Sequence, residues 1–198
     1  ATQLLLDEGV PVWSYDLPGK PHRMQLLMDD DAIGRVNFIE GDITDQGSAD
    51  QWAIAGRIAA DSGLPTNVVL GNHDVRKGSV DAAAALAPFG LEAPDGPAAV
   101  DVPGLRIVTL PTAVAGLGPG YVHAPARQKV AELVGAGPGA AFVAMHHYPQ
   151  RWRVPNVYPP GITGPMAKAL LDAVAEANPA SLVTSGQATA TEGTITAT

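Results

Sequence analysis

The segment VNFIEGDITDQG, residues 36–47, decides the fold predicted for this chain. Its first part is an apolar run that predicts a strand over Val36–Glu40, and the polar GDITDQG that follows ends that strand. The same succession recurs in TNVVLGNHD, residues 66–74, where a predicted strand over Thr66–Leu70 leads into GNHD. A helix predicted over residues 50–60 lies between them. The two strands are therefore expected to be parallel neighbours in a β-α-β unit.

A third predicted strand also ends in a polar cluster. The apolar run over 140–145 leads directly into His146 and His147. In open α/β sheets, ligands bind beyond the carboxyl ends of the strands. We therefore expect the three polar clusters to meet at one rim of the sheet.

The rest of the chain continues the alternation of short β-branched runs with amphipathic stretches, which favours a single α/β domain over residues 1–198. Residues 98–102 and 105–110 predict an antiparallel hairpin. The proline-rich stretch 148–164 predicts a long surface loop. The other predicted elements are strands over 10–15 and 182–184, a candidate terminal strand over 193–198, and helices over 22–33, 80–86, 124–134 and 166–175.

Composition narrows the kinds of partner and site. Twelve basic residues against 20 acidic ones give a net charge of −8, which opposes attraction to nucleic acid or to an anionic membrane surface. No cysteine is present, so any metal must be held by oxygen and imidazole ligands. No apolar run reaches eighteen residues, and the default expectation for location is the cytoplasm. The chain starts at alanine, which leaves open a leader that has been removed.

Each polar residue at the rim also has a purely structural interpretation. Asp45 suits a turn or a helix N-cap, and Asn72 suits a turn. His146 and His147 could be a core histidine and its exposed neighbour. The joint pattern favours a metal site, because carboxylate, amide and imidazole groups each follow an apolar strand, and manganese, iron and zinc accept that ligand set.

The motifs GDITDQG, GNHD and AMHHYP, in this order, resemble those of the calcineurin-like metallophosphoesterases. The branch most similar contains bacterial cyclic-nucleotide and glycerophosphodiester phosphodiesterases, and the resemblance extends over roughly residues 10–186. It implies a four-layer α/β/β/α sandwich of two mixed β-sheets flanked by helices. It also implies two divalent metal ions, Mn, Fe or Zn, at the strand ends, and hydrolysis of a phosphoric ester, most often a diester, by a metal-activated hydroxide.

The resemblance also assigns roles to individual residues. Asp42 would bridge both metals, and Asn72 and His146 would bind the second metal. His73 would stabilise the transferring phosphoryl group or protonate the leaving alkoxide. Asp74 would orient His73.

Two further motifs of that family are incomplete in this chain. In the first, Asp16 matches the acid, but Pro18 stands where a histidine is expected. In the last, Gly186 matches, but Gln187 and Thr189 occupy the two histidine positions. The first metal would thus keep Asp16 and Asp42 and lose both imidazoles. The candidates for substitute ligands are His147, Gln187 and Glu192.

Three explanations of these departures stay open: a degenerate member that kept the fold, a remodelled site, or altered sequence in these two loops. The leading functional hypothesis is a metal-dependent hydrolase of a small phosphate ester. Its rival is a catalytically weak phosphoesterase-like domain that serves as a binding or scaffold module. A third hypothesis is a mononuclear enzyme that uses only the second metal site. The sequence specifies neither the substrate nor the oligomeric state.

Overall fold

In the part of the chain that the structure describes, this α/β protein has one mixed sheet and four α-helices. A computed structural model describes residues 12–14, 36–38, 42–63, 66–102, 105–137, 139–150, 161–187 and 195–196. The strands are β1 (Val12–Ser14), β2 (Val36–Phe38), β3 (Ala98–Val102), β4 (Leu105–Leu110), β5 (Ala140–His147), β6 (Leu182–Gln187) and β7 (Ile195–Thr196). The helices are α1 (Ala49–Asp61), α2 (Ala82–Leu86), α3 (Ala124–Gly135) and α4 (Gly164–Ala177).

The mixed sheet has the strand order β3-β4-β5-β6, with the two-residue β7 beside β6. The predicted hairpin is confirmed, since β3 and β4 pair antiparallel. β4, β5 and β6 are parallel, with Val108 opposite Val143 and Val143 opposite Val183. β5 runs beyond its predicted end and includes both histidines. The carboxyl ends of three parallel strands therefore lie at one edge.

β1 and β2 form a separate parallel pair, with Val12 opposite Val36. They are the described parts of the strands predicted over 10–15 and 36–40. Apart from this short pair, the described residues contain no second sheet. The helix predicted over 22–33 and residues 151–160 of the predicted loop lie outside the described residues.

The strand predicted over Thr66–Leu70 is wrong, because these residues belong to no strand. Val68 is instead buried in an apolar cluster with Trp52, Ala82 and Leu86. The apolar pattern of this segment thus reflects packing between α1 and α2, which needs no strand ladder. A run of only five residues does not distinguish these two causes of burial.

Helix α1 matches its predicted range within a residue at each end and is N-capped by Ser48. Trp52 and Gly56 are buried, whereas Ile58 is 52% exposed. A Cβ on Gly56 would collide with the ring of Phe89. The close contact with the turn after α2 therefore centres the packed face on Trp52 and Gly56.

The main core lies between one face of the mixed sheet and the pair α3 and α4. Its fully buried members include Val108 and Leu110 of β4, Val143 of β5, Val130 of α3 and Leu170 of α4. The helices predicted over 80–86, 124–134 and 166–175 are confirmed with small shifts of their ends. None of the helices in the described ranges is both long and apolar enough to cross a membrane. This packing holds β5 firmly, and β5 carries His146 and His147 to the edge of the sheet.

Candidate metal centre

Three of the predicted ligands meet at the carboxyl end of β5. Nε2 of His146 lies 3.1 Å from Oδ1 of Asn72 and 3.3 Å from Oδ1 of Asp42. Asp42 belongs to the segment after β2, and Asn72 to the turn that follows Val68. The expected convergence of acid, amide and imidazole is therefore present, although residues 66–70 form no strand.

Gly71 allows this close approach. A Cβ at this position would collide with Oδ1 of Asp42 and would lie 2.6 Å from Cε1 of His146. Real Cβ atoms do not come that close to other heavy atoms, so a side chain here would force the two ligands to move. Position 71 thus needs a glycine because a larger side chain would not fit at the site, and not because of an unusual backbone angle.

The Asp74 carboxylate, which was expected to orient His73, contacts the backbone of two segments beside the site. Its buried carboxylate accepts hydrogen bonds from the backbone N–H groups of Thr44 (2.7 Å), Gly71 (2.8 Å) and Ile43 (3.3 Å), and from the Thr44 hydroxyl (2.7 Å). Burial raises the pKa of Asp74, and the hydrogen bonds from Gly71 and Thr44 oppose that rise. Asp74 therefore ties the Asp42 segment to the GNHD turn, and a different carboxylate contacts the His73 ring.

That carboxylate is Asp45. Its Oδ1 lies 3.0 Å from Nδ1 of His73, and its side chain is 64% exposed. Hydrogen bonds from Gln46 and then from His73 lower the pKa of Asp45. The N-cap interpretation of Asp45 is wrong, because Ser48 caps α1. The sequence held one signal for this role of Asp45, because the spacing of Asp42 and Asp45 in GDITD places both beside the same turn.

The His73 backbone and ring make further contacts. Its backbone N–H donates to Oδ1 of Asp42 at 2.9 Å, and its Nε2 lies 3.9 Å from Oδ2 of Asp42. Nη2 of Arg76 lies 2.7 Å from Nδ1 and 2.6 Å from Nε2 of the ring. No sequence motif singled out Arg76. Its position three residues after His73, in a turn, brings the guanidinium back over the ring.

His147 is held differently from His146. It is fully buried, with Nδ1 2.8 Å from the Thr112 hydroxyl and Nε2 3.0 Å from the Gly118 carbonyl oxygen. A carbonyl only accepts, so Nε2 carries the proton and Nδ1 accepts from Thr112. Burial lowers the pKa of His147 to about 4, so the ring is neutral at pH 7. Both nitrogens are engaged, and binding a metal would cost His147 one of these hydrogen bonds.

His146 is buried too, and burial lowers its pKa while the Asp42 carboxylate opposes that change. Its ring meets that of His147 edge to face, with centroids 4.7 Å apart. A Cβ on Gly186 would lie 3.9 Å from Nδ1 of His146. In the sheet register, Gln187 is opposite His147. The backbone thus brings the last motif beside the histidine pair.

The residues of the first and last motifs, and the candidate substitute Glu192, are not among the described side chains. Asp16, Pro18, Thr189 and Glu192 lie outside the described residues, and of Gln187 only the backbone is described. Within the described part of the chain, no group of three or more histidine, aspartate or glutamate side chains is arranged to hold a metal. The set that does converge has two such side chains and one amide.

The three converging donors nevertheless fit a divalent ion. Two ligand atoms that bind one ion at right angles, with bonds of about 2.1 Å, are about 3.0 Å apart. The distances of 3.1 and 3.3 Å from the His146 nitrogen are close to that separation. One imidazole nitrogen and two oxygens suit manganese, iron or zinc. Asp42, Asn72 and His146 are therefore the described residues that could supply ligands to a single ion.

Comparison with known proteins adds no assignment: no protein-family model matches this chain, and neither does any protein with a curated description.

Proposed function

We propose that this protein is a metal-dependent phosphoric-ester hydrolase that acts on small phosphodiesters, as the resemblance to the calcineurin-like metallophosphoesterases implies. One observation carries the proposal. Oδ1 of Asp42 and Oδ1 of Asn72 both lie within 3.3 Å of Nε2 of His146. His73 lies beside them, with its Nε2 3.9 Å from Oδ2 of Asp42. A set of metal-binding side chains next to an imidazole that can transfer a proton suits the hydrolysis of phosphoric esters.

Asp42, Asn72 and His146 would hold one divalent ion, Mn, Fe or Zn. The residues available to a second ion would be Asp42 and Asp16, together with Gln187 or His147. When bound, such ions polarise phosphoryl oxygens and lower the pKa of water.

The chain itself orients the ligands and moves the proton. The backbone N–H of His73 donates to Asp42 and fixes the orientation of that carboxylate. Asp45 accepts from Nδ1–H of His73, which leaves Nε2 free to face the leaving oxygen. When the ring is protonated on both nitrogens, Nε2 would give its proton to that oxygen, and the neutral ring with Nδ1–H would remain. Asp74 keeps the two loop segments together through its backbone hydrogen bonds.

We also propose the four-layer α/β/β/α sandwich with two mixed sheets as the complete fold. The parallel pair β1 and β2 supports it, because Asp42 follows β2 and meets the carboxyl end of β5. In that arrangement, β1 and β2 belong to the second sheet. An experimental structure with those strands in a sheet of at least four would agree with this, and one with an isolated pair would contradict it.

The rival function is a catalytically weak binding or scaffold module. Pro18, Gln187 and Thr189 stand in place of three imidazoles, and the candidate substitute His147 already has both ring nitrogens in hydrogen bonds. This module would hold less than one tightly bound metal per chain. The mononuclear alternative would hold one metal and keep residual activity.

The deciding experiment combines metal analysis with turnover. The protein is stripped by a chelator and reloaded with Mn, Fe or Zn, and both bound metal and hydrolysis of bis(p-nitrophenyl) phosphate are measured. We expect metal-dependent hydrolysis that falls by about 100-fold or more in His73→Asn, the usual size of an acid–base contribution.

The matched control is His123→Asn. His123 is exposed and caps α3 by accepting from the Ala126 backbone, and asparagine preserves such a cap. Equal activity of His73→Asn and His123→Asn would contradict the proposed function. So would a zero rate with all three metals, and a zero rate with less than one metal per chain would favour the binding module.

A further inference from the structure

An open groove of about 680 Å³ has no role in the function proposed above. It is lined by the segment 75–83, which runs from the end of the GNHD turn into α2, and by Asp95 and Gly116. None of the described candidate metal ligands lines it, and Arg76 is its link to His73. Its volume is within the range of sites that bind small molecules. The groove therefore has room for an organic substituent beside Arg76.

Arg76 connects the groove to the metal centre. It lines the groove, and its Nη2 contacts both ring nitrogens of His73. Its Nη1 lies 3.9 Å from Oδ1 of Asp45, and its side chain is 37% exposed. A ligand in the groove can therefore reach the guanidinium from solvent without any movement of the core.

The hydrogen-bonding roles of the three side chains follow from their chemistry. Arginine only donates, and an ionised aspartate only accepts. The His73 nitrogen that contacts Asp45 must therefore carry the proton. Because Nη2 of Arg76 lies 2.7 Å from Nδ1 and 2.6 Å from Nε2, it lies against the ring and not along the in-plane lone pair of Nε2. Arg76 is thus in contact with the His73 ring without being held by the Nε2 lone pair.

We propose that Arg76 is the residue that recognises the phosphodiester. Its guanidinium leaves His73 and pairs with the anionic phosphoryl oxygens, while the groove takes the ester substituent that stays on phosphorus when the leaving group departs. Arginine suits this task because its planar fork matches two phosphate oxygens at once. The proposal rests on the proposed function and names the substrate class more closely, as diesters with a bulky second substituent.

The first test removes the guanidinium. We expect Arg76→Ala to lower kcat/KM for bis(p-nitrophenyl) phosphate by about tenfold or more, mainly through a higher KM, since a charged hydrogen bond is lost. Arg76→Lys keeps the charge and should recover only part of that loss. Arg57→Ala is the matched control, because Arg57 is an exposed arginine of α1. Equal kcat/KM in Arg76→Ala and Arg57→Ala would overturn the proposal.

The second test fills the groove. Ala83 and Ala84 are both exposed on α2, but only Ala83 lines the groove. The substrates are bis(p-nitrophenyl) phosphate and methyl p-nitrophenyl phosphate, which share a leaving group and a charge and differ only in the second substituent. We expect Ala83→Trp to lower the ratio of kcat/KM for the bulky diester to that for the methyl diester by about tenfold, which is about 1.4 kcal/mol. An unchanged ratio, or the same change in Ala84→Trp, would overturn the assignment of the groove.

A binding measurement separates this inference from the proposed function. Saturation-transfer NMR of bis(p-nitrophenyl) phosphate with the metal-free protein needs no turnover. We expect a signal that weakens in both Arg76→Ala and Ala83→Trp and persists in Arg57→Ala and Ala84→Trp. If the signal is insensitive to Arg76 and Ala83 while wild type hydrolyses the diester, the inference fails and the function stands. If the signal behaves as expected but no metal restores turnover, the function fails and the binding role of Arg76 stands.

Discussion

Gly71 is the residue on which the geometry of the candidate site depends most directly. Its missing side chain lets Asp42 and His146 approach each other across the GNHD turn. The backbone N–H of Gly71 also donates to Asp74 at 2.8 Å, so the residue has little freedom to withdraw. A methyl group here must therefore displace Asp42 or His146.

We expect Gly71→Ala to weaken metal affinity by about 10–100-fold, the effect typical of disturbing a ligand's support. The measurement is a calorimetric titration of the metal-free protein with manganese or zinc. Gly96→Ala is the control, because a Cβ at Gly96 meets no atom within 4 Å. A metal affinity in Gly71→Ala equal to that of Gly96→Ala would show that Asp42 and His146 do not act together on one ion.

Single residues also mark how far the sequence predicts the site. The pattern of polar clusters after apolar runs points to GDITDQG, GNHD and the histidine pair, and the resemblance selects Asp42, Asn72 and His146 within them. It does not identify the partner of His73, since Asp45 and Asp74 are both close in sequence and only the folded turn separates their roles. The sequence did not predict a role for Arg76, because its contact with the His73 ring depends on a side-chain conformation in a loop.

At the scale of elements, patterns of ten or more residues predicted the structure better than short ones. Helices α3 and α4 repeat their apolar positions over three or more turns, and both formed where expected. The run over 66–70 did not form a strand, because Val68 is buried by packing against Trp52. For a short run, burial alone leaves the type of secondary structure undetermined.

The segment 42–47 and the GNHD turn are joined by Asp74, so this contact should matter for stability as well as for the site. We expect Asp74→Asn to lower the free energy of unfolding by about 2–4 kcal/mol. The NH₂ group of asparagine would replace one carboxylate oxygen, and it cannot accept from the backbone N–H groups that it would face. Urea unfolding of the metal-free protein measures the change. Asp61→Asn, at the exposed end of α1, should stay within about 0.5 kcal/mol of wild type. A similar value for Asp74→Asn would mean that the two segments are held together by other contacts.

At the scale of the whole molecule, the buried neutral His147 links stability to pH. Its pKa is about 4 when folded and about 6.5 when unfolded, so the unfolded chain binds the extra proton between these values. The contribution to stability is complete above about pH 6.5 and is lost as the pH falls towards 4. We expect it to be about 3 kcal/mol at most.

Urea unfolding from pH 7 to 4.5, with a chelator present, measures this dependence. His147→Asn should be less stable at pH 7 but should lose less stability on acidification. The exposed His123→Asn should follow wild type. A wild-type slope in His147→Asn would show that other groups cause the acid sensitivity.

Metal binding should also stabilise the whole fold, because Asp42, Asn72 and His146 come from three separate segments of the chain. A ligand at 100 times its dissociation constant adds about 2.7 kcal/mol to the free energy of unfolding, and for a chain of this size that raises Tm by about 5–10 °C. We expect this rise when manganese or zinc is added to the stripped protein, with reversal by a chelator. Asn72→Ala should abolish most of it, and His123→Asn should keep it. A rise of equal size in Asn72→Ala would place the stabilising ion elsewhere, because removal of one of three converging donors must weaken an ion held between them.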